Sequence, residues 1–534
     1  MSVRSTIARN TLFNIAGRVF EGLFGLTLTW YVVNELGTEG WGIWSLVAVF
    51  TGYAALFDLG IGSGFAKYIA EYDARGERDK ISALISTGLT FYFLLSVAVV
   101  VLSWLLADTL IDRFLLPLAS GPHLSAETVE DVRFLCRGAV LLFGINNCIA
   151  PFANVPVGLQ RMEVSNALSA GVTVVKFISA FAFIEAGWGV RGIFAAQALS
   201  VVLLGIGCVV AAFVLVPGLR VGPGHINRLV FHQLFSFGWR TQVAKLAGLI
   251  DFQTDRMVVA TVYKFADMGL VGLYGIGEYV ATKMRQIPNL LVSALIPAAS
   301  ALDAQSREEH LEKLYLHSTK YMAAVAFPLA LGVIACADMM LHAWLGEQEG
   351  LHRAAGVTRI LCAGYLCNLL PGPGMSIVLG KGLAATSMYA GLLSMTVNII
   401  ASVSLFYTIG FYGIPAGTSI GMFVATCWFF LHTRRHIRVP LRLLFARALL
   451  WPALACVPGM AMCLGLGWML ADSPGHLHNL AGFLTGVALF GLSYFAVLLS
   501  SPFLDDFDRA LLLKTLRLQH VPGAAWLIGG RGHA

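Results

Sequence analysis

The residues in this sequence with the greatest capacity for chemistry are ionisable side chains set in apolar surroundings. Lys176 lies within Val-Thr-Val-Val-Lys-Phe-Ile-Ser, with no acid inside one helical turn. A cation at the centre of a bilayer costs about 2.5 to 3.5 kcal/mol, so such a residue tends to face a cavity, water or a partner from another helix. Snorkelling or a structural ion pair is the competing account. Arg18 has Glu21 three residues on, a spacing at which helical side chains touch, and a local pair reads as well as a functional one. Arg240, Lys245, Asp251, Asp255 and Arg256 crowd one apolar stretch, and Glu278, Lys283 and Arg285 crowd the next. No lipid-facing helix tolerates that load. Asp251 and Asp255 share one helix face, as do Glu278 and Arg285. Acids so placed could bind Na+ or a proton and couple its gradient to the movement of another solute. Cross-pairing between the two stretches explains the same residues without coupling. Asp338, in a later stretch, could equally be a structural partner.

Signatures of soluble enzymes are missing from the sequence. It has no Walker A loop, no H-E-x-x-H and no Gly-rich turn following a strand. Gly60-Ile61-Gly62-Ser63-Gly64 ends an apolar stretch, where small residues permit close helix contact. His476 and His478 are too few for a metal site. The nine cysteines are scattered singly, which gives neither a disulfide framework nor a metal spacing.

The elements that must position these residues are membrane helices. Hydrophobic residues make up 57% of the chain and charged ones 12%, with a mean hydropathy of +0.75, far from soluble usage. Backbone amides in hydrocarbon must pair within a helix or a closed barrel, and the apolar runs here are helix-length rather than alternating ten-mers. They fall near 10–34, 40–62, 81–107, 131–156, 164–186, 190–216, 235–262, 268–299, 318–345, 354–380, 383–409, 411–432, 446–470 and 479–500. The first lacks an A-x-A cleavage site and exceeds a signal-peptide core, so it reads as an uncleaved span.

Lys and Arg then assign the sides. One set of connections carries Lys67, Arg75, Arg78 and Lys80, then Arg220 and Arg228, then Arg307 and Lys313, then Arg434, Arg435, Arg438, Arg442 and Arg447. The other offers little beyond Arg113, Arg191, Lys264 and Arg353. By the positive-inside rule both termini face the cytoplasm of an inner-membrane protein. Outer connections are short, the longest near 108–130, which leaves no room there for a catalytic domain. The net charge of +6 is spread over these loops without interleaved aromatics, so it argues topology and not nucleic-acid binding.

Gly42-Ile43-Trp44 opens the second span and Gly272-Leu273-Tyr274 the eighth. Asp73-Ala74 and Asp303-Ala304 follow those spans at the same offset of 230 residues. The expected architecture is therefore all-α, with about fourteen spans in two parallel six-helix lobes plus two appended helices. The limits are 1–216, 217–434 and 435–500, and the tail 501–534 reads as an amphipathic helix on the inner leaflet, with a plain solvated helix as the alternative. Prolines 151, 156, 288, 297, 328 and 415 interrupt spans, and Pro371-Gly372-Pro373-Gly374 makes a double break expected to act as a hinge.

Taken together, certain residues carry a family resemblance. Asn10-Thr-Leu-Phe-Asn14, Leu36-Gly37 followed by Gly40-Trp41-Gly42-Ile43-Trp44, and Phe57-Asp58-Leu59-Gly60 with Ala66-Lys67-Tyr68 resemble the polysaccharide-transporter branch of the multidrug/oligosaccharidyl-lipid/polysaccharide exporter superfamily. Asp255-Arg256-Met-Val-Val, Gly272-Leu273-Tyr274 and Leu295-Ile296-Pro297 resemble the corresponding stretch of the second half. The resemblance implies two lobes around a central cavity that flips a polyprenyl-pyrophosphate-linked oligosaccharide by alternating access, with no enzyme activity. It also implies a cationic lining, for which Arg18, Lys176, Arg240, Lys245, Lys283 and Arg285 are the candidates. Opposite charge lowers the cost of moving a pyrophosphate through low dielectric. Glu21, Asp251, Asp255 and Glu278 nearly balance those cations, which is a departure from the family pattern. The expected partners are that lipid-linked glycan, the bilayer, and a polysaccharide polymerase with its chain-length machinery. Rival expectations are a drug or lipid-precursor exporter of the same superfamily, a membrane glycosyltransferase or O-antigen ligase, and a scaffolding membrane protein.

Overall fold

The computed structural model describes residues 3–54, 61–110, 126–235, 268–289, 307–381, 383–470 and 475–505, with Asp255, 258–259, 291–292, Leu295, Ala299, 302–303 and Asp508. Most of the expected seventh span, the connection 111–125 and the tail beyond Asp508 lie outside the described residues. So do the prediction at Gly60 and that at Pro297.

Every regular element among the described residues is helical. These are α1 (Val3–Ala54), α2 (Ile61–Ala74), α3 (Arg78–Leu110), α4 (Ala126–Gly158), α5 (Met162–Phe183), α6 (Gly189–Leu215), α7 (Met268–Asn289) and α8 (Glu308–Leu345). They continue with α9 (Leu351–Leu369), α10 (Gly372–Gly380), α11 (Ala384–Ile409), α12 (Gly413–Thr433), α13 (Leu450–Leu470) and α14 (His476–Ser500). Eight helical segments are long and apolar enough to cross a membrane, and two of these, Met162–Leu215 and Ala385–Thr433, run to 54 and 49 residues. At 1.5 Å per residue each is more than twice the hydrocarbon thickness of about 30 Å. Both fold back at glycines with positive φ, Gly187 and Gly189 in the first and Gly410 in the second. The paired helices then pack along each other. Large apolar side chains such as Leu105, Val214, Leu492 and Phe495 are exposed, the inverse of a soluble surface and the pattern a lipid solvent requires. The chain is thus a polytopic α-helical membrane protein.

By contact density the chain forms two compact units, Met1–Gly275 and Ile276–Ala534. In the first, α1 is broken at Gly37, where φ 69° and ψ −178° are open only to glycine. That break separates the runs expected at 10–34 and 40–62. The core gathers Phe65, Ile69, Ile81, Leu84, Ile85 and Tyr92 from α2 and α3, with Phe152 and Val155 of α4. Hydroxyls of Ser82, Ser86 and Thr87 on α3 accept the backbone N–H groups of Arg220, Gly222 and Asn227, at 3.1, 3.2 and 3.0 Å. These bonds, with Val216 and Leu219 buried in the same core, staple down the connection leaving α6.

The second unit is built around α8, which packs against α9, α10, α13 and α14. The tenth span breaks where its two Pro-Gly pairs predict, since α9 ends at Leu369 and α10 begins at Gly372. The hairpin α11–α12 closes tightly because Gly417 and Gly421 present no Cβ. One added at Gly417 would stand 2.3 Å from the Ser402 backbone nitrogen, and one at Gly421 2.6 Å from the Ser394 carbonyl. Small residues at this spacing let helices approach in a bilayer, where close packing and polar contacts replace the hydrophobic drive. Across that seam Thr418 donates to Asn398 Oδ1 at 3.1 Å, and within α11 Ser402 donates to the same oxygen at 2.8 Å.

After α14 the chain docks onto α8. Lys320, buried in α8, is ion-paired with both Asp508 and Asp505 and lies over the Phe503 ring, while the Tyr321 hydroxyl donates to Asp508 at 2.6 Å. Phe503 and Asp508 are themselves buried. Burial works to raise the Asp505 carboxyl, but the Asp508 backbone N–H and Lys320 outweigh it and hold the group below the usual carboxylate range. The first residues of the expected amphipathic tail therefore rest on protein.

Candidate functional site

Helix α5 carries the candidate site of the first unit. Lys176 stands fourteen residues into α5, about 21 Å along its axis from Met162. The helix is apolar enough to cross, yet Asn166, Ser169, Thr173 and Lys176 are spaced i, i+3, i+7 and i+10, so they form one half-buried polar stripe. Thr173 donates its hydroxyl to the Ser169 carbonyl at 2.8 Å, which leaves its lone pairs available along the stripe. Ser179 donates its hydroxyl to the Lys176 carbonyl at 3.2 Å, but no ion pair, hydrogen bond or ring contact to the Lys176 amine exists among the described residues. The single residue was legible in the sequence. The stripe below it was missed, although its spacing was there to be read.

The partner helix α1 runs parallel to α5. Gly17 presses against Asn166, Phe24 meets Phe177 edge-on at 5.5 Å, and Tyr31 lies over Phe181 at 5.0 Å. At the far end the Tyr31 hydroxyl donates to Glu185 at 2.8 Å. Arg18 follows Gly17 on α1, so its backbone is level with Asn166, about 15 Å along the axis from Lys176. The Arg18 side chain lies outside the described residues, as do Arg240, Lys245 and Asp251.

Asp255 is described and buried, and accepts the Tyr274 hydroxyl at 2.6 Å, with Tyr274 fully buried. This is a pairing between the expected seventh and eighth spans of the kind weighed against ion coupling. It also joins the two sequence motifs, Asp255-Arg256 and Gly272-Leu273-Tyr274. Gly272 in turn sits against the turn of α1, where an added Cβ would stand 1.9 Å from the Thr38 carbonyl oxygen and 3.1 Å from the Gly42 nitrogen. The glycines of the two repeated motifs therefore touch.

In the second unit α7 continues with Glu278, Lys283 and Arg285. Glu278 is buried and within electrostatic reach of Arg285, as their shared helix face predicts. Arg285 lies over the Tyr365 ring of α9 at 5.1 Å, and Lys283 lies over Tyr279 at 5.2 Å, whose ring stacks with Trp344. Aromatic faces thus hold both cations, an arrangement that stabilises a desolvated charge. Asp338 is ion-paired with Arg359, so it has the structural partner that its sequence reading allowed. The nine cysteines are free, and among the described residues no cluster could hold a metal ion.

Comparison with known proteins agrees with this geometry. Residues 7–303 match the family model described as polysaccharide biosynthesis protein, and residues 283–474 match that of the lipid II flippase MurJ. A Shigella flexneri protein assigned as an O-antigen transporter is 22% identical over 369 residues, covering 68% of this chain and 82% of that protein. Among solved structures, the lipid II flippase MurJ in an inward closed conformation is 14% identical with a TM-score of 0.65, over 91% of this chain and 98% of that one. An inward-facing multidrug resistance transporter of the MATE family is 20% identical with a TM-score of 0.60, over 78% and 94%. At these identities the structures establish the fold alone, while the family model covers more than half of the chain. The chain belongs to the polysaccharide biosynthesis protein family, in the flippase branch of the multidrug/oligosaccharidyl-lipid/polysaccharide exporter superfamily, and is a membrane transporter, not an enzyme.

Proposed function

We propose that the protein translocates a polyprenyl-pyrophosphate-linked oligosaccharide from the inner to the outer leaflet of the inner membrane, by alternating access between the lobes 1–216 and 217–434, to supply surface polysaccharide. The observation that carries this reading is Lys176, a cation deep in a span for which the described residues offer no counter-charge. An amine so placed is costly unless water or an anion reaches it, and a pyrophosphate is the anion that this cargo brings. Arg18, one helix away and nearer the end of α5 at Met162, provides an earlier station on the same path. The O-antigen assignment of the Shigella relative and the lipid II flippase match over 283–474 both support a lipid-linked saccharide as cargo. Arg434, Arg435, Arg438, Arg442 and Arg447 are all exposed in the connection from α12 to α13, which supports a cytoplasmic side there and cytoplasmic termini. The break at Pro371 supplies the hinge. Coupling to a Na+ or proton gradient is proposed through Asp251, Asp255 and Glu278, and requires that an ion compete with the Tyr274 hydroxyl for Asp255. A polymerase with its chain-length machinery would receive the flipped product.

The test is a strain that needs the native gene for its surface glycan. Lys176→Ala, matched to wild type for membrane expression, is expected to lower delivery to the outer face about 10- to 100-fold, the worth of one hydrogen bond to a charged group. The lipid-linked precursor accumulates inside, and Lys176→Arg restores export in part. Normal glycan output from Lys176→Ala removes this residue from the path.

A further inference from the structure

The second unit contains a cavity of about 440 Å3 at the end of α8 remote from Lys320, walled by α8, α9, α13 and α14. That is within the range of about 300–1,000 Å3 typical of small-molecule sites. Its polar groups are Asp338, His342, Glu347, Arg359 and Asn479, and Trp468 stands at its rim. The structure holds these groups in place. Arg359 is fixed by its ion pair with Asp338 and by a 3.2 Å hydrogen bond from Nε to the Ile334 carbonyl. His342 Nδ1 is 2.9 Å from the Asp338 carbonyl, and its Nε2 is 4.0 Å from Glu347. Asp338 is 43% exposed and Glu347 65%, so both carboxylates retain free acceptor positions.

The balance of charge selects the ligand. Two carboxylates face one guanidinium, and that guanidinium is already paired, so a pyrophosphate would meet net repulsion. A sugar ring meets none. Its hydroxyls donate to carboxylates and accept from guanidinium and amide groups, and its C–H face packs on an indole. Trp468 is 83% exposed two residues from the end of α13. An indole at a span terminus sits at headgroup level, the depth at which the first sugars of a lipid-linked glycan leave the membrane. We propose that this cavity is a saccharide-binding site that takes a sugar ring of the transported glycan, with Trp468 against the ring face and Asp338, Glu347, Arg359 and Asn479 on its hydroxyls. The identity of that glycan as cargo rests on the function proposed above.

The experiment is calorimetric titration of the full-length protein in detergent with two probes, an oligosaccharide released by mild acid from the producing cell's own surface polysaccharide, and sodium pyrophosphate. The oligosaccharide is expected to bind saturably and pyrophosphate not to displace it. Trp468→Ala and Glu347→Gln each weaken binding about tenfold without changing thermal stability, because both side chains are exposed. Absence of saturable binding, displacement by pyrophosphate, or full affinity in both variants overturns the site. Lys176→Ala separates the two readings. It is expected to block export while leaving this titration unchanged, so the saccharide site and the transport path can fail independently.

Discussion

Replacing Gly272 by Ala tests whether the contact between the two repeated motifs builds the first unit. The added Cβ would stand 1.9 Å from the Thr38 carbonyl oxygen, where Cβ atoms essentially never approach another heavy atom within 3.0 Å. Either α7 or the turn of α1 must retreat by about 1.1 Å, and the obstacle is backbone, which cannot rotate away as a side chain would. Overpacking of this kind costs about 1–3 kcal/mol, and a rigid obstacle places it near 3. Alanine recovers about 1 kcal/mol of helix propensity over glycine. The net loss is about 2 kcal/mol, or roughly thirtyfold in the folded population. Gly22→Ala in α1 is the control, because nothing lies within 4 Å of its added Cβ and only the propensity gain of about 1 kcal/mol remains. Reversible unfolding in mixed micelles at rising dodecyl sulfate, followed by far-ultraviolet circular dichroism, measures both. A Gly272→Ala protein as stable as wild type would refute the close contact and with it the meeting of the motifs.

Two further outcomes follow from local geometry. Gly37→Ala has open space around its Cβ but inherits φ 69° and ψ −178°, so the same titration should show a loss of about 1–3 kcal/mol where helix propensity alone predicts a gain. Because the folded state holds the Asp505 carboxyl below its ordinary value, its contribution to tail docking is complete above that ordinary value and lost as pH falls through the lower folded one. Hydrogen exchange at 501–505 should therefore stay slow from pH 7 to about 4 and rise below it, and Lys320→Ala should release the segment already at pH 7.

Much of the fold was legible because bilayer physics writes it locally. Apolar length, punctuating glycines and loop charges need no knowledge of distant contacts, so the break at Gly37 and the turns at Gly187 and Gly410 fall where the runs end, and the interruption at Pro371 falls at the Pro-Gly pairs inside the tenth run. The fates of charges were not legible in the same way. Asp338 finds Arg359 on the next helix, Asp131 finds Arg191 sixty residues on, and Lys320 finds Asp508 at a separation of 188. Nothing in the sequence around either member names the other. Lys320 was overlooked because it opens an apolar span. The missing local partner that drew attention to Lys176 applied to Lys320 equally.

That equality sharpens the functional argument. An ionisable residue within or beside an apolar span satisfies its charge by folding or leaves it for a ligand, and the sequence alone shows both cases alike. The structure sorts them. Lys320 and Arg359 are taken up by carboxylates, Arg191 by Asp131, Lys283 and Arg285 by aromatic faces, and Asp255 by Tyr274. Among the described residues Lys176 remains without such a partner, at the head of a stripe of amide and hydroxyl groups that continues along α5 toward Met162. A purely structural helix would gain by replacing that amine with leucine, since a bilayer penalises the cation by about 2.5 to 3.5 kcal/mol and favours the hydrocarbon. A transport path needs the opposite, a charge left unsatisfied by the fold so that a phosphate entering low dielectric can satisfy it.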